Sequence, residues 1–220
     1  MKCRGYAAPC LFAVALLNSA VLAQQPLKQP SEPSKSSANA RVANLDIGTI
    51  SGDAYRNTSL GFTYKIPFGW VNRTKEMSQE PDTDSTDPNK SILLLAVFER
   101  PPEATGDSVN SAVVIAAESA SSYPGLRTAE QYFDPLTAVT KSKGLTVVNE
   151  PYEFRVGTQQ LVRGDFSKPL GTLTMHQSTL AVIEKGYVVS FTFIGGSEDE
   201  VDELIECLTF GRKEVPASQK

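Results

Sequence analysis

Hydrophobic and polar positions change rhythm several times along the chain. In residues 61–66, Phe62, Tyr64 and Ile66 alternate with polar neighbours at the period of a strand, and with residues 54–57 across Thr58-Ser59 they predict a hairpin. Residues 92–98 are apolar at every position and residues 112–117 nearly so, the pattern of strands covered on both faces, which predicts two central strands. Further strands are expected at 145–149, 152–156, 159–166, 173–183 and 187–194. Gly157-Thr158 and Lys185-Gly186 supply tight connections between neighbours.

Two segments change to the helical period. In residues 128–143, Thr128 is followed three positions on by Gln131, and Tyr132, Leu136 and Val139 recur on one face, while Pro135 is expected to kink or restart the helix. In residues 197–208, Ser197 and Glu200 form a capping box, acids fill the first turn, and Val201, Leu204, Ile205 and Leu208 make one stripe before Gly211. Short turns between successive strands require antiparallel pairing, and doubly apolar strands require cover on both sides. The expected fold is α+β, an antiparallel sheet with helices on both faces.

The flanks read differently. Residues 1–23 have the form of an export signal: Lys2 and Arg4, an apolar run from Leu11 to Leu17, and Val21-Leu22-Ala23 before a cleavage point at Gln24. Residues 24–52, broken by Pro26, Pro30 and Pro33 and rich in serine, read as a disordered tether; residues 53–212 form the domain and 213–220 a flexible tail. The whole chain of 220 residues has 21 bases, 25 acids and a net charge of −4. Removal of the signal takes Lys2 and Arg4 but no acid and leaves a net charge of −6, which argues against nucleic acid and anionic membranes as partners. Cys3 and Cys10 leave with it, so Cys207 has no disulfide partner within the mature chain. The expectation is a periplasmic or secreted monomer without a stable membrane anchor.

The segment Leu60-Gly61-Phe62-Thr63-Tyr64-Lys65-Ile66-Pro67-Phe68-Gly69-Trp70, preceded by Tyr55 and Asn57, resembles the opening hairpin of PsbP/Mog-like α/β/α domains, whose secreted bacterial members often carry Leu-Gly-Phe, Pro and Gly-Trp at this spacing. Residues 186–193, the acidic helix after them and Leu208-Thr209-Phe210 resemble the closing strand, helix and hydrophobic patch of the same domains. The resemblance spans about residues 55–212 and implies the α/β/α sandwich, together with the binding and accessory roles that prevail in that family. The chain lacks the acylated cysteine of its lipoprotein members. The Pro67-Phe68-Gly69 turn also has a purely structural reading: Pro67 fixes a dihedral, Gly69 tolerates positive φ and Trp70 caps the core.

Candidate chemistry is sparse. His176 and Cys207 are the one pair able to supply a base and a thiolate, and Cys207, flanking the helix stripe, reads as a packing residue instead. The loop from Glu80 to Asp87 carries carboxylates at intervals but departs from an EF-hand, with Asp87 and Leu93 where glycine and glutamate belong; it reads as a solvated loop, with calcium the metal nearest its donor set. Glu198, Asp199, Glu200, Asp202, Glu203 and Glu206 read as a solvated helix face, or else as a docking face for a basic partner. Asn57-Thr58-Ser59 and Asn72-Arg73-Thr74 match the glycosylation pattern. Serine-nucleophile, phosphate-loop and dinucleotide signatures are missing from the sequence. The sequence therefore assigns no catalytic residue, no metal ligand and no cofactor. It points to an exported, non-enzymatic binding or accessory domain whose partner is a protein or envelope component. The alternative is a carboxylate-based hydrolase or other enzyme pairing Asp165 with Glu184 or Glu150.

Overall fold

The computed structural model of the protein describes residues 45–78, 91–104 and 106–211. The chain opens with strands β1 (Thr49–Ser51), β2 (Ala54–Asn57), β3 (Phe62–Lys65) and β4 (Val71–Asn72), then a short helix α1 (Thr74–Ser78). Two long strands follow, β5 (Ile92–Phe98) and β6 (Ala112–Ser119), then helix α2 (Phe133–Ser142). A four-strand meander, β7 (Thr146–Val156), β8 (Gln159–Leu170), β9 (Leu173–Glu184) and β10 (Tyr187–Gly195), leads to helix α3 (Glu198–Glu206) and strand β11 (Leu208–Phe210).

The strands form two antiparallel sheets. The large one has the order β4-β5-β6-β10-β9-β8-β7, and the small one β1-β2-β3-β11. The two strands apolar at nearly every position, β5 and β6, lie inside the large sheet, as a strand with both faces covered must. One face of the large sheet carries Leu95, Ile115, Leu180 and Phe191, all without solvent exposure, and packs against the small sheet and the Val201, Leu204 and Ile205 stripe of α3. Phe62 meets Phe191 edge-on, with centroids 4.9 Å apart, and Phe210 lies against both rings. Such contacts add about 0.5–1.5 kcal/mol each to the burial itself.

The opposite face is covered by α2 near one end and α1 near the other. Gly164 makes the α2 contact possible: a Cβ there would stand 2.7 Å from the ring of Phe133. The fold is thus α+β with cover on both faces, and a second sheet shares the inner layer with α3.

Some expectations need correction in detail. Residues 45–52, expected within the tether, belong to the domain. Leu45 packs on the core, β1 pairs with β2, the Tyr55 hydroxyl donates to the Ile47 carbonyl at 2.9 Å, and the Asn57 amide donates to that of Asp46 at 2.8 Å. The two strands expected at 145–149 and 152–156 are one strand, β7, whose register shifts on both sides of Asn149. The helix expected over 128–143 begins with a 3₁₀ turn at Glu130–Tyr132. It continues as α2 with Pro135 in its first turn, where proline removes no helical hydrogen bond. Gln131 caps it from behind, its side-chain oxygen accepting from the Arg127 and Thr128 amides. The helix expected over 197–208 ends at Glu206, and Leu208, expected on its stripe, opens a strand instead, since Leu208–Phe210 pairs with β3. Residues 1–44, 79–90, 105 and 212–220 lie outside the described residues, and with them the export signal, residues 24–44 of the expected tether, the loop from Glu80 to Asp87 and the tail.

Candidate functional site

Among the described residues, the edge of the large sheet under α3 holds the one sizeable polar cluster on the inner face. In β8, Leu161, Arg163 and Asp165 point inward, and Arg163 and Asp165 are 9% and 8% exposed. Two charges on an apolar face demand partners, and the neighbouring strands supply them. Arg163 Nε meets Asp165 Oδ1 at 2.7 Å, the Ser178 hydroxyl of β9 donates to the same oxygen at 2.5 Å, and another guanidinium nitrogen of Arg163 donates to Ser178 Oγ at 3.0 Å. The second carboxylate oxygen accepts from Asn149 Nδ2 and from the Tyr152 hydroxyl, both at 3.1 Å.

That last pair depends on the irregularity in β7. Positions 149 and 152 are three apart and would face opposite sides of a regular strand. The register shift across Glu150-Pro151 turns both toward Asp165. Bulges of this kind re-aim side chains and occur where an edge strand must not recruit another strand. From above, Asp202 of α3 reaches Arg163 at 2.8 Å, and the Arg163 guanidinium lies 5.2 Å from the centre of the Phe154 ring.

The electrostatics follow from this wiring. Burial alone would disfavour the Asp165 carboxylate, but hydrogen bonds from Ser178, Arg163 and Asn149 and the Arg163 charge outweigh it, and its pKa lies below the usual carboxylate range. Burial and the Asp165 carboxylate push the Tyr152 hydroxyl up to about 12, against the pull of Arg163. Asp165 is therefore a fixed anion with four donors on two oxygens, and Tyr152 stays neutral at physiological pH. Beside this cluster opens a cleft of about 210 Å³, whose outer wall includes Val148, His176, Glu198 and Asp202.

Neither proposed carboxylate partner joins Asp165. Glu184 lies six residues along β9 from Ser178, about 20 Å away at strand spacing, and Glu150 is exposed on the bulge. The other carboxylates of the cleft, Asp202 and Glu198, are 56% and 70% exposed. His176 and Cys207 are not brought together: His176 sits 3.8 Å from Glu198 at the start of α3, whereas Cys207 follows its end, about 13 Å further along the axis. Cys207 is half-buried against the core, and burial pushes its thiol pKa up.

Of the six acids on α3, three are engaged within the domain. Glu200 accepts from the Ser111 hydroxyl and the Gly196 amide, Asp202 holds Arg163, and Glu198 faces His176. Asn57, in the first glycosylation pattern, is fully buried and holds the amide of Leu60 as well as the Asp46 carbonyl, so it is a structural residue. Asn72 caps α1 through the Thr74 amide and hydroxyl. Sequence reasoning misses the Arg163 cluster itself. Its signal is an i, i+2 pair of opposite charges, Arg163 and Asp165, on the face of a strand that also carries Leu161.

No family model matches the chain, and no curated protein matches it in sequence. Similar solved structures do exist. Cyanobacterial PsbP (CyanoP) of Synechocystis sp. PCC 6803 aligns over 74% of this chain and 98% of its own, at 16% identity and a TM-score of 0.44. LpqN of Mycobacterium tuberculosis, described as involved in cell envelope biogenesis, aligns over 68% of this chain and 83% of its own, at 11% identity and a TM-score of 0.38. PA94 of Pseudomonas aeruginosa, a protein of unknown function, aligns over 56% and 78%, at 12% identity and a TM-score of 0.34. The likeness concerns fold alone, and the PsbP-like domain that the opening hairpin resembles stands among these neighbours. Among the described residues no helix is long and apolar enough to cross a membrane.

Proposed function

We propose that the chain is an exported accessory domain of the cell envelope that binds a protein or envelope component and catalyses no reaction. The observation that supports this reading is the state of Asp165. A carboxylate held by four donors, with its pKa depressed, has neither a free lone-pair direction nor a matched pKa for proton transfer. Such a cluster makes a rigid wall, and rigid walls with an exposed rim serve recognition. The rim here is acidic at Glu198 and Asp202 and apolar at Val148, a surface suited to a basic, partly apolar epitope. The sequence pattern of residues 1–23 supports export.

The test uses the protein immobilised through its C-terminus and exposed to envelope extract of its own cells. A partner retained by the unaltered protein and released by Glu198→Lys supports the reading. Turnover of any small molecule by the purified protein that is abolished in Asp165→Asn would overturn it. Intact-mass analysis of the exported product is expected to show a chain beginning at Gln24.

A further inference from the structure

At the edge opposite the Arg163–Asp165 cleft, the layer between the two sheets is left open. The large sheet ends there on β4, two residues long, and the small sheet ends on β1. The mouth between them is an open, mostly apolar cleft of about 270 Å³ bounded by Ile50, Ile66, Phe68 and Trp70, with Asp53 and Asn72 also in its lining. Ile50 stands opposite Tyr55 in the register and so faces the inner layer, yet it is 43% exposed because its strand is the last of its sheet. Phe68 is fully exposed at the tip of the turn in which the Trp70 amide reaches the Pro67 carbonyl at 3.3 Å, and the positive φ of Gly69, +83°, fixes that turn. A rigid turn that holds an aromatic ring in water beside an unfilled, mostly apolar cleft marks an interaction surface.

Two features select what fills it. The first is direction. Among the described residues β1 pairs with β2 alone, so its outer edge presents backbone donors and acceptors that an extended segment matches. The opposite edge of the small sheet is not available in this way, because β11 runs beside β7. The second is charge. Asp46 and Asp53, both exposed, bracket β1 at four residues before and three residues after Ile50. A strand laid antiparallel on β1 places the residue opposite Ile50 over the cleft and the residues on either side of it outward with Thr49 and Ser51, while Asp46, before Gly48, and Asp53, in the turn to β2, put negative charge beyond both ends of the edge.

We propose that this edge docks an extended segment of a protein partner. The segment adds to β1 as a fifth strand of the small sheet, seats one aromatic or branched side chain in the mouth against Trp70 and Phe68, and carries Lys or Arg about four residues to either side. This inference does not rest on the reading of the Arg163–Asp165 cleft, which lies at the other edge of the sheet.

Trp70 is the one tryptophan of the chain, so its emission reports on this mouth alone. The experiment titrates the full chain with the synthetic peptide Lys-Thr-Val-Thr-Phe-Thr-Val-Thr-Lys and follows Trp70 fluorescence. The expected result is a saturable blue shift, with affinity reduced at least tenfold by Phe68→Ser and at least tenfold by Ile50→Lys. Both variants alter exposed side chains, and unchanged melting temperatures certify their folds. Proline in place of the threonines flanking the peptide's phenylalanine should reduce affinity at least tenfold, and glutamate in place of both lysines at least threefold. Unchanged emission throughout the titration overturns the proposal, as does an equal response to the proline peptide. A shift produced by protein concentration alone and removed by Phe68→Ser would make a second copy the occupant, and a shift produced by phosphatidylcholine vesicles would make it a lipid surface; either result overturns the peptide assignment.

Discussion

The cleft beside Asp165 and the mouth beside β1 are similar in size, about 210 and 270 Å³, and opposite in chemistry. Around Asp165 two charged side chains sit on an apolar face, and partners from β7, β8, β9 and α3 close around them. At the mouth the lining is mostly apolar, and its ring of highest exposure, Phe68, touches water on every side. A buried charge left without partners costs several kcal/mol, so the chain must complete the first site internally. An exposed ring costs far less, so the second site can wait for an outside partner. The difference locates rigidity at one edge of the sheet and unsatisfied surface at the other.

The largest effect is expected where the internal wiring is cut. Asp165→Ala leaves the Arg163 guanidinium buried with one exposed carboxylate for company and should cost about 3–5 kcal/mol, read from urea unfolding. A loss below about 1 kcal/mol would show the cluster to be solvated and erase the contrast. The pH dependence has a definite sign. Because the folded pKa of Asp165 is depressed, its stabilisation is complete above the unfolded carboxylate range, near pH 4, and disappears as pH falls through the lower folded value. Urea midpoints between pH 6 and pH 2.5 should therefore fall more steeply for the unaltered protein than for Asp165→Asn, and parallel curves would contradict the assignment.

Next in size is Trp70→Ala. A fully buried ring of this kind would cost about 3–5 kcal/mol; half-buried at the mouth, it should cost about 2, seen as a lower melting temperature. Tyr152→Phe removes one hydrogen bond to the Asp165 carboxylate at a position 39% exposed, and the expected loss is about 1 kcal/mol. The smallest change is Phe68→Ser, within about 0.5 kcal/mol in thermal melts, as for a side chain with no contact to lose. A marked destabilisation by Phe68→Ser would mean that the ring is held within the fold, and the two edges would then not differ in kind.

Much of this architecture is legible in short stretches of sequence. The solid apolar runs at 92–98 and 112–117 are interior strands, and Ser197 caps α3 with its hydroxyl on the Glu200 amide at 3.1 Å. Local signals of that sort depend on neighbours within a few positions. Most of what stays hidden depends on partners far along the chain. β11 is three residues long, too short for a periodic pattern, and exists because β3, far earlier in the chain, offers an edge; β1, equally short, pairs with its neighbour β2 and is hidden by its length alone. The Asp165 site draws on Asn149, Tyr152, Arg163 and Ser178, which only the pairing of β7, β8 and β9 assembles, and the turn of Asn149 and Tyr152 to one side follows from a bulge rather than from either residue type. Trp70 packs on the core as a cap does, but it is only partly buried because the short β4 leaves that edge open.

The pairing of β11 with β3 sets a clock on biogenesis. Thr209 and Thr63, joined by a hydrogen bond of 3.3 Å, are 146 positions apart. A nascent chain emerging N-terminus first has β2 and β3 at its disposal early, as a hairpin too small to persist alone. Until Leu208–Phe210 has also emerged, that hairpin lacks its fourth strand, and Phe191 lacks the Phe210 ring that completes its aromatic group. Closure over so long a separation is slow relative to local pairing, so the inner layer seals last, and the interval before sealing is the window in which a chaperone meets an uncommitted chain.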